Sequence, residues 1–506
     1  MEHIAREHVD VLIVGAGVSG IGAAYYLQRE QAGKSYAILE ARGDTGGTWD
    51  LFRYPGVRSD SDLHTYGYEF KPWRDDDAIA TGGKILAYLR ETIAENRIDT
   101  HIRFHHRVLS AAWSSSDARW VVEIERTDTA ERVQISTDWI FCAGGYYRYD
   151  EGFTPHFEGR DRFAGQIVHP QHWPEDLDYT GKKVVIIGSG ATAVTLLPAM
   201  ADKAGHVTML QRSPTYLLPV PSQDVVANTA KKLLGDTLGY AVARRKNIFR
   251  QRAVYRLCQR YPGAVRFVLR YLNARRLPAD YPVDVHFNPT YQPWDQRLCT
   301  VPDDDLFRAI SAGRASVVTD RIASFTETGI RLESGRELDA DIIVTATGFN
   351  LQAFGGMALT VDGVPVQLSE TVAYKGMMLS GVPNFMFAFG YTNSSWTLKI
   401  DLVCEYLCRL LAHMDACGYR TVRAEIDDPT MATKPLLDFG AGYVQRAAAG
   451  LPRQGAAEPW SMSMDYRKDV ELIRNRPVVD ANLRFGVAAP VSAPETPSEL
   501  PEAIGA

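Results

Sequence analysis

The stretch VDVLIVGAGVSG, residues 9–20, reads as an apolar strand that runs into a glycine-rich turn and then into a helix. Gly15, Gly17 and Gly20 stand at G-x-G-x-x-G spacing, and residues 21–29 have the composition of a helix. A second strand, Tyr36–Glu40, closes a βαβ unit of ordinary length. Glycines in such a turn let the backbone approach a pyrophosphate, and the helix start points its amides and its dipole at the anion. Glu40 lies 20 residues beyond Gly20. An acid there accepts hydrogen bonds from a ribose and repels a 2′-phosphate, so this unit is expected to hold FAD or NAD and to disfavour NADP.

The pattern recurs at VVIIGSGATA, residues 184–193, where Gly188, Ser189, Gly190, Ala191, Thr192 and Ala193 form the turn and Val194 continues the helix. Its following strand, from Val207, ends in Gln211, Arg212 and Ser213 instead of an acid. Arginine offers a fixed fork of donors to phosphate oxygens, so the second unit is expected to prefer NADPH. Two dinucleotide sites of opposite preference imply one bound flavin and one exchangeable hydride donor. The expected fold is α/β, with two Rossmann-like dinucleotide-binding domains, for FAD and NADPH, and a helical insertion.

A chain of 506 residues is long enough for two to four domains. Its 45% hydrophobic, 23% charged and 10% aromatic composition is that of a folded globular protein. The net charge of −6 argues against a surface built for nucleic acid. The polar start followed directly by a strand leaves no room for a secretion signal, and no apolar run approaches bilayer length. The six cysteines (142, 258, 299, 404, 408 and 417) include no CxxC pair. This points to a reducing cytoplasm and excludes a dithiol reductase, with Cys404 and Cys408 sharing a helical core face. His101, His105 and His106 lack partners at metal spacing, and no metal is expected.

The expected division is 1–150, first part of the FAD-binding domain; 151–180, a linker; 181–218, first part of the NADPH-binding domain; and 219–296, a basic helical insertion. Residues 297–375 are expected to complete the NADPH domain and 376–487 the FAD domain, with a disordered tail at 488–506 rich in proline, alanine and acids. Residues 244–276 carry eleven Lys or Arg and no acid, interleaved with aromatic and aliphatic residues. A basic amphipathic helix is a candidate for peripheral contact with an anionic membrane, against the simpler reading of a solvated face.

The linker contains FAGQIVHPQHWP, residues 163–174, which has the spacing F-x-G-x-x-x-H-x-x-x-W-P. This resembles the fingerprint of Baeyer-Villiger monooxygenases, a group of class B flavoprotein monooxygenases, with Trp173 where related N-hydroxylating enzymes usually carry Tyr or Phe. GGTWDLFRYPGVRSD, residues 46–60, and the stretches 294–303 and 391–396 are similar to that family too, and the resemblance spans about residues 8–486. It implies an FAD- and NADPH-dependent enzyme that inserts one oxygen atom of O₂ into ketones through a C4a-peroxyflavin, giving esters or lactones, and that also oxygenates sulfides or thioamides.

On matching positions the resemblance makes Arg297 the electrostatic stabiliser of developing negative charge, oriented by Asp60. It places Gly15, Gly17, Ser19, Gly20, Glu40, Gly47, Thr48, Trp49, Asp50, Leu51, Arg58, Ser59, Asp60 and Val108 around FAD. The residues of 188–194, with Arg212 and Ser213, fall to NADPH. Phe163, Gly165, His169 and Trp173 form the fingerprint, with His169 on the interdomain linker coupling nicotinamide binding to domain position. Some members carry a lysine before the arginine; here it is Gln296, which leaves NADPH preference resting on Arg212. Two rivals stay open at this point: an NADPH oxidase releasing peroxide, and a flavin-dependent redox sensor or membrane-docking protein. Neither needs an oxyanion stabiliser above the flavin. Substrate identity and oligomeric state are not written in these motifs.

Overall fold

The computed structural model describes residues 7–487 except Arg297 and Phe439. The expected disordered tail and Arg297 therefore lie outside the described residues. Two sheets organise the chain. In the first, strand Glu7–Val14 lies between Tyr36–Leu39 and Arg132–Cys142, parallel to both. The sheet continues antiparallel through Arg119–Arg126 and His106–Ser114. The strand begins exposed at Glu7 and His8 and ends in the core, with Val11, Leu12 and Ile13 inaccessible to solvent. Helix Val18–Glu30 covers one face and packs against the long helix Thr397–Cys417, far away in sequence, through one core that includes Ile21, Ala24, Ile400 and Cys404.

The second sheet is wholly parallel, in the order Ala315–Thr319, His206–Gln211, Lys183–Ile187, Ile342–Thr345, Gln166–Val168. Its edge strand comes from inside the fingerprint stretch, so residues 166–168 are sheet as well as linker. Strands Ala358–Val361 and Ala373–Tyr374, N-terminal to the expected boundary at 375/376, already belong to the first sheet. The chain crosses between the sheets at strand Tyr147–Gly152 and returns at Phe349–Leu351, and the two crossings pair antiparallel.

The insertion is helical, as expected. Helix Val225–Arg260 is broken at Gly235 (φ 77°), a left-handed backbone that suits glycine. The two halves turn back on each other: Gly239 packs against the Lys231 backbone, and Asp224 accepts from Asn247 at 3.1 Å and from Lys246. Helix Pro262–Ala274 follows. Arg244 is buried and ties the insertion to the first domain. It donates to Asp401 at 2.9 Å and to the Gly67 carbonyl at 2.7 Å. All six cysteines are free, and Cys404 and Cys408 are core residues. No helix among the described residues is long and apolar enough to cross a membrane.

Candidate active site

A single cleft of about 1940 Å³ runs between the two sheets and is lined by both glycine-rich turns. On the first side it meets Gly15, Gly17, Ser19 and Glu40, then Gly47, Thr48, Trp49 and Leu51, then Arg58, Ser59, Asp60 and Val108. On the second it meets Gly188, Ser189, Gly190, Ala191 and Thr192, with Arg212 and Ser213. Trp173 of the fingerprint also lines it. Gly20, Asp50, Ala193, Val194, Phe163, Gly165 and His169 do not, and each has a different place.

The turns are shaped to admit a dinucleotide. Gly15 has φ 102°, and a Cβ there would come 2.8 Å from the Ala143 carbonyl oxygen. A Cβ on Gly20 would overlap the Gly15 carbonyl oxygen, so this glycine seats the helix on the turn. A Cβ on Gly190 would meet no atom within 4 Å and would project into open space. Both fingerprint helices begin without a side-chain cap, at Gly17 and at Gly190. Uncapped first-turn amides are free to bind an anion, which fits a pyrophosphate at each turn. Ala193 and Val194 are core residues that hold the second helix on its sheet.

Glu40 is buried. Its two oxygens accept from the Ala16 amide at 2.9 Å and the Arg42 amide at 3.0 Å, and burial pushes its carboxyl above the usual range against those bonds. Asp50 is buried behind the cleft wall, bridging the wall residues Arg42 and Arg53, the latter at 3.1 Å. Arg58 pairs with Asp305 at 2.5 Å, while its second terminal nitrogen is buried without a hydrogen-bond partner among the described residues. The Ser59 hydroxyl accepts from the Ala80 amide at 3.2 Å. Asp60 is exposed at the cleft wall and accepts from the Ser61 hydroxyl at 3.3 Å. Arg212 is exposed and forms no hydrogen bond or ion pair among the described residues. Ser189 donates to the Ser213 carbonyl at 3.1 Å, which joins the turn to the strand end that carries Arg212.

The fingerprint residues do three separate things. Phe163 packs in the core beside Phe325, and a Cβ on Gly165 would overlap the Asp341 carbonyl, so these two seat the edge strand. His169 sits where the crossings meet: its Nε2 lies 3.2 Å from the Gly348 carbonyl and its Nδ1 accepts from the Gln171 amide at 3.2 Å. That pair of contacts defines the neutral tautomer protonated on Nε2, and burial lowers its pKa in the same sense. Gln171 ties the segment to the other crossing by donating to the Arg148 and Tyr149 carbonyls, each at 2.9 Å.

Sequence reasoning missed several cleft residues. Tyr54, Tyr66, Tyr149, Arg321, Trp396 and Arg446 all line it. Trp49 donates to the Tyr66 hydroxyl at 2.7 Å and Trp396 to the Ser19 hydroxyl at 2.9 Å. Burial pushes the Tyr54 and Tyr149 phenols up to about 12, so both stay protonated donors. Tyr54 and Trp396 fall inside the family-like stretches 46–60 and 391–396, and for Tyr149 the aromatic run after Gly144 and Gly145 was the available signal, since it follows a strand that ends at the cleft.

The model of the flavin-binding monooxygenase-like family matches residues 8–378. The chain belongs to that family. It is 54% identical over 480 residues to the FAD-containing monooxygenase EthA of Mycobacterium tuberculosis, covering 95% of this chain and 98% of that protein. It is 48% identical over 483 residues to the probable FAD-binding monooxygenase AlmA of Acinetobacter baylyi, covering 95% and 96%. The fold matches that of a solved structure titled oxidized steroid monooxygenase bound to NADP, with TM-score 0.72, 24% identity, and 95% and 100% of the chains covered. It also matches an open crystal structure of cyclohexanone monooxygenase, with TM-score 0.72, 19% identity and the same coverage. The α/β fold and the resemblance read from residues 46–60 and 163–174 stand. The protein is a flavin-dependent monooxygenase, and the expectation of FAD and NADP agrees with these names and titles.

Proposed function

We propose that the enzyme uses NADPH and O₂ to insert one oxygen atom into a ketone, releasing an ester or lactone, NADP⁺ and water. Sulfides and thioamides are additional small-molecule substrates in the same proposal. The observation that carries it is the single cleft, which brings Asp60, Trp173, the Glu40 turn and the exposed Arg212 to one space. Bound FAD supplies the oxygen-activating chemistry, and the protein orients and protects it.

Gly15, Gly17 and the amides that open helix Val18–Glu30 hold the FAD pyrophosphate, with Glu40 at its ribose. Gly188, Gly190 and the helix after them hold that of NADPH, with Arg212 on the 2′-phosphate. Arg297 stabilises the oxyanion that develops on the substrate carbonyl, and Asp60 orients Arg297. His169, bonded to one crossing through Gly348 and to its own turn through Gln171, couples the two halves as the cofactors bind. A cytoplasmic location, with peripheral membrane contact through residues 244–276, belongs to the same proposal.

The experiment is NADPH consumption by the purified yellow protein with and without members of a ketone panel, with product analysis. Ketone-dependent consumption matched by ester or lactone supports the reading. Consumption matched only by hydrogen peroxide defeats it and favours the oxidase.

A further inference from the structure

The helical insertion carries an unusual amount of uncovered apolar surface. Of the large hydrophobic side chains that are exposed among the described residues, thirteen lie between Val225 and Tyr271 and only Val285, Val364, Val479 and Val487 lie elsewhere. Leu233, Leu234 and Leu238, at 78%, 52% and 58% exposure, surround the Gly235 turn that forms the tip of the helical hairpin. Val225 and Val226 extend this patch, which forms a shallow depression with Thr229 and Ala230. On helix Pro262–Ala274 the exposed Phe267, Val268 and Tyr271 follow at helical spacing. Folding has not buried these side chains, and a contiguous patch of this kind marks an interaction surface.

Charge identifies the partner. Residues 225–276 hold thirteen Lys or Arg against one acid, Asp236, although the chain as a whole carries −6. Seven of those cations are paired with carboxylates of the protein, buried or at its surface: Lys231 with Asp76, Arg244 with Asp401, Lys246 with Asp224, Arg252 and Arg256 with Asp465, Arg270 with Asp284 and Arg276 with Asp304. Lys232, Arg245, Arg250, Arg260 and Arg275 are exposed and have no carboxylate partner among the described residues. The free cations are thus interleaved with the free apolar side chains. A second copy docked through this face would set cations against cations. The surface that accepts both kinds of group together is an anionic bilayer, whose headgroups take the charges and whose acyl boundary takes the side chains.

We infer that the helical insertion docks the enzyme on anionic lipid bilayers, with the Leu233–Leu238 tip entering the headgroup boundary and Lys232, Arg245, Arg250, Arg260 and Arg275 facing lipid phosphates. This extends the contact beyond residues 244–276 to the apolar hairpin at 225–242. It also removes from 244–276 the six cations there that are paired with carboxylates, which no composition could have sorted. Docking does not depend on the substrate or on the catalytic assignments, and its test is independent of turnover.

The test is co-sedimentation of the FAD-loaded enzyme with vesicles of phosphatidylcholine alone and of phosphatidylcholine with phosphatidylglycerol, at low and high salt. Binding to the anionic vesicles, weakened by salt, is expected. Leu233→Asp with Leu234→Asp should reduce the bound fraction at least tenfold, and Arg245→Ala and Arg250→Ala about fivefold each. All four positions are exposed, so flavin content and thermal midpoint should match the parent. Absence of binding at low salt, equal binding to neutral vesicles, or wild-type binding by the variants would each overturn the inference. So would self-association without vesicles that the Leu233→Asp, Leu234→Asp variant abolishes, because that outcome makes a second copy the occupant.

Discussion

The two glycine-rich turns look interchangeable as strings, yet the structure gives them opposite characters. In the first, the glycine at the third position is obligatory, because a Cβ on Gly20 would overlap the Gly15 carbonyl oxygen. In the second, the corresponding residue is Ala193, whose methyl is accommodated in the core. The polar residue after the first unit, Glu40, is buried and already holds two backbone amides, whereas Arg212 after the second is exposed and holds nothing described. A closed, internally satisfied site suits a resident cofactor. An open one with a waiting cation suits a nucleotide that comes and goes, which is the division of labour a flavin and its hydride donor require.

The harshest way to break this comparison is Gly20→Ala. The overlap cannot be relieved by a flexible side chain, because the neighbour is backbone, so destabilisation of about 3 kcal/mol and loss of flavin are expected. A variant that purifies yellow with an unchanged thermal midpoint would show the two turns to be alike. Arg212→Ala is next. Losing a charge-assisted phosphate contact should raise the KM for NADPH ten- to a hundredfold while that for NADH stays put. Equal efficiency with NADPH and NADH in the parent enzyme would remove the role given to Arg212. The reciprocal change, Ala193→Gly, should cost only about 1 kcal/mol of stability, with both cofactors retained. Thermal melts of the two glycine–alanine exchanges, run side by side, measure the asymmetry directly.

Local patterns were legible because their causes are local. The apolar strand at 9–14, the turn glycines and the start of each helix follow from side-chain spacing alone, and they appear at Glu7–Val14, Val18–Glu30 and Ala191–Ala201. What could not be read depends on contacts between distant segments. Strands Ala358–Val361 and Phe385–Phe387 join a sheet begun at residue 7, and nothing in their own sequence names that partner. Asp50, quoted as part of a cofactor motif, is consumed by Arg42 and Arg53. The basic run at 244–276 is uniform by composition, yet Asp401 and Asp465, more than a hundred residues away, claim Arg244 and Arg252 from it. Trp396 enters the cleft only because helix Thr397–Cys417 packs beside the first turn and sets it on Ser19.

The smallest effect concerns the junction between the two regions. His169 is held neutral in the folded protein, since burial lowers its pKa below the ordinary 6.5 and its Nδ1 is occupied as an acceptor. Above pH 6.5 neither the folded nor the unfolded state binds a proton there, so its contribution to stability is fully present. As pH falls below that value the unfolded chain takes up a proton first, and stability declines until the folded-state pKa is reached. Protonation of the folded histidine also sets a donor against the Gln171 amide, which loosens the fingerprint from the crossing at Gly348. The thermal midpoint of the parent should therefore drop more between pH 7.5 and 5.5 than that of His169→Gln, which has no group to titrate. Parallel decline in both proteins would assign the loss to other groups. If the decline is specific to His169, hydrogen exchange at Gln171 and Phe153 should rise over the same interval, because the Gln171 amide donates to His169 Nδ1 and the Phe153 amide shares the Gly348 carbonyl with His169 Nε2.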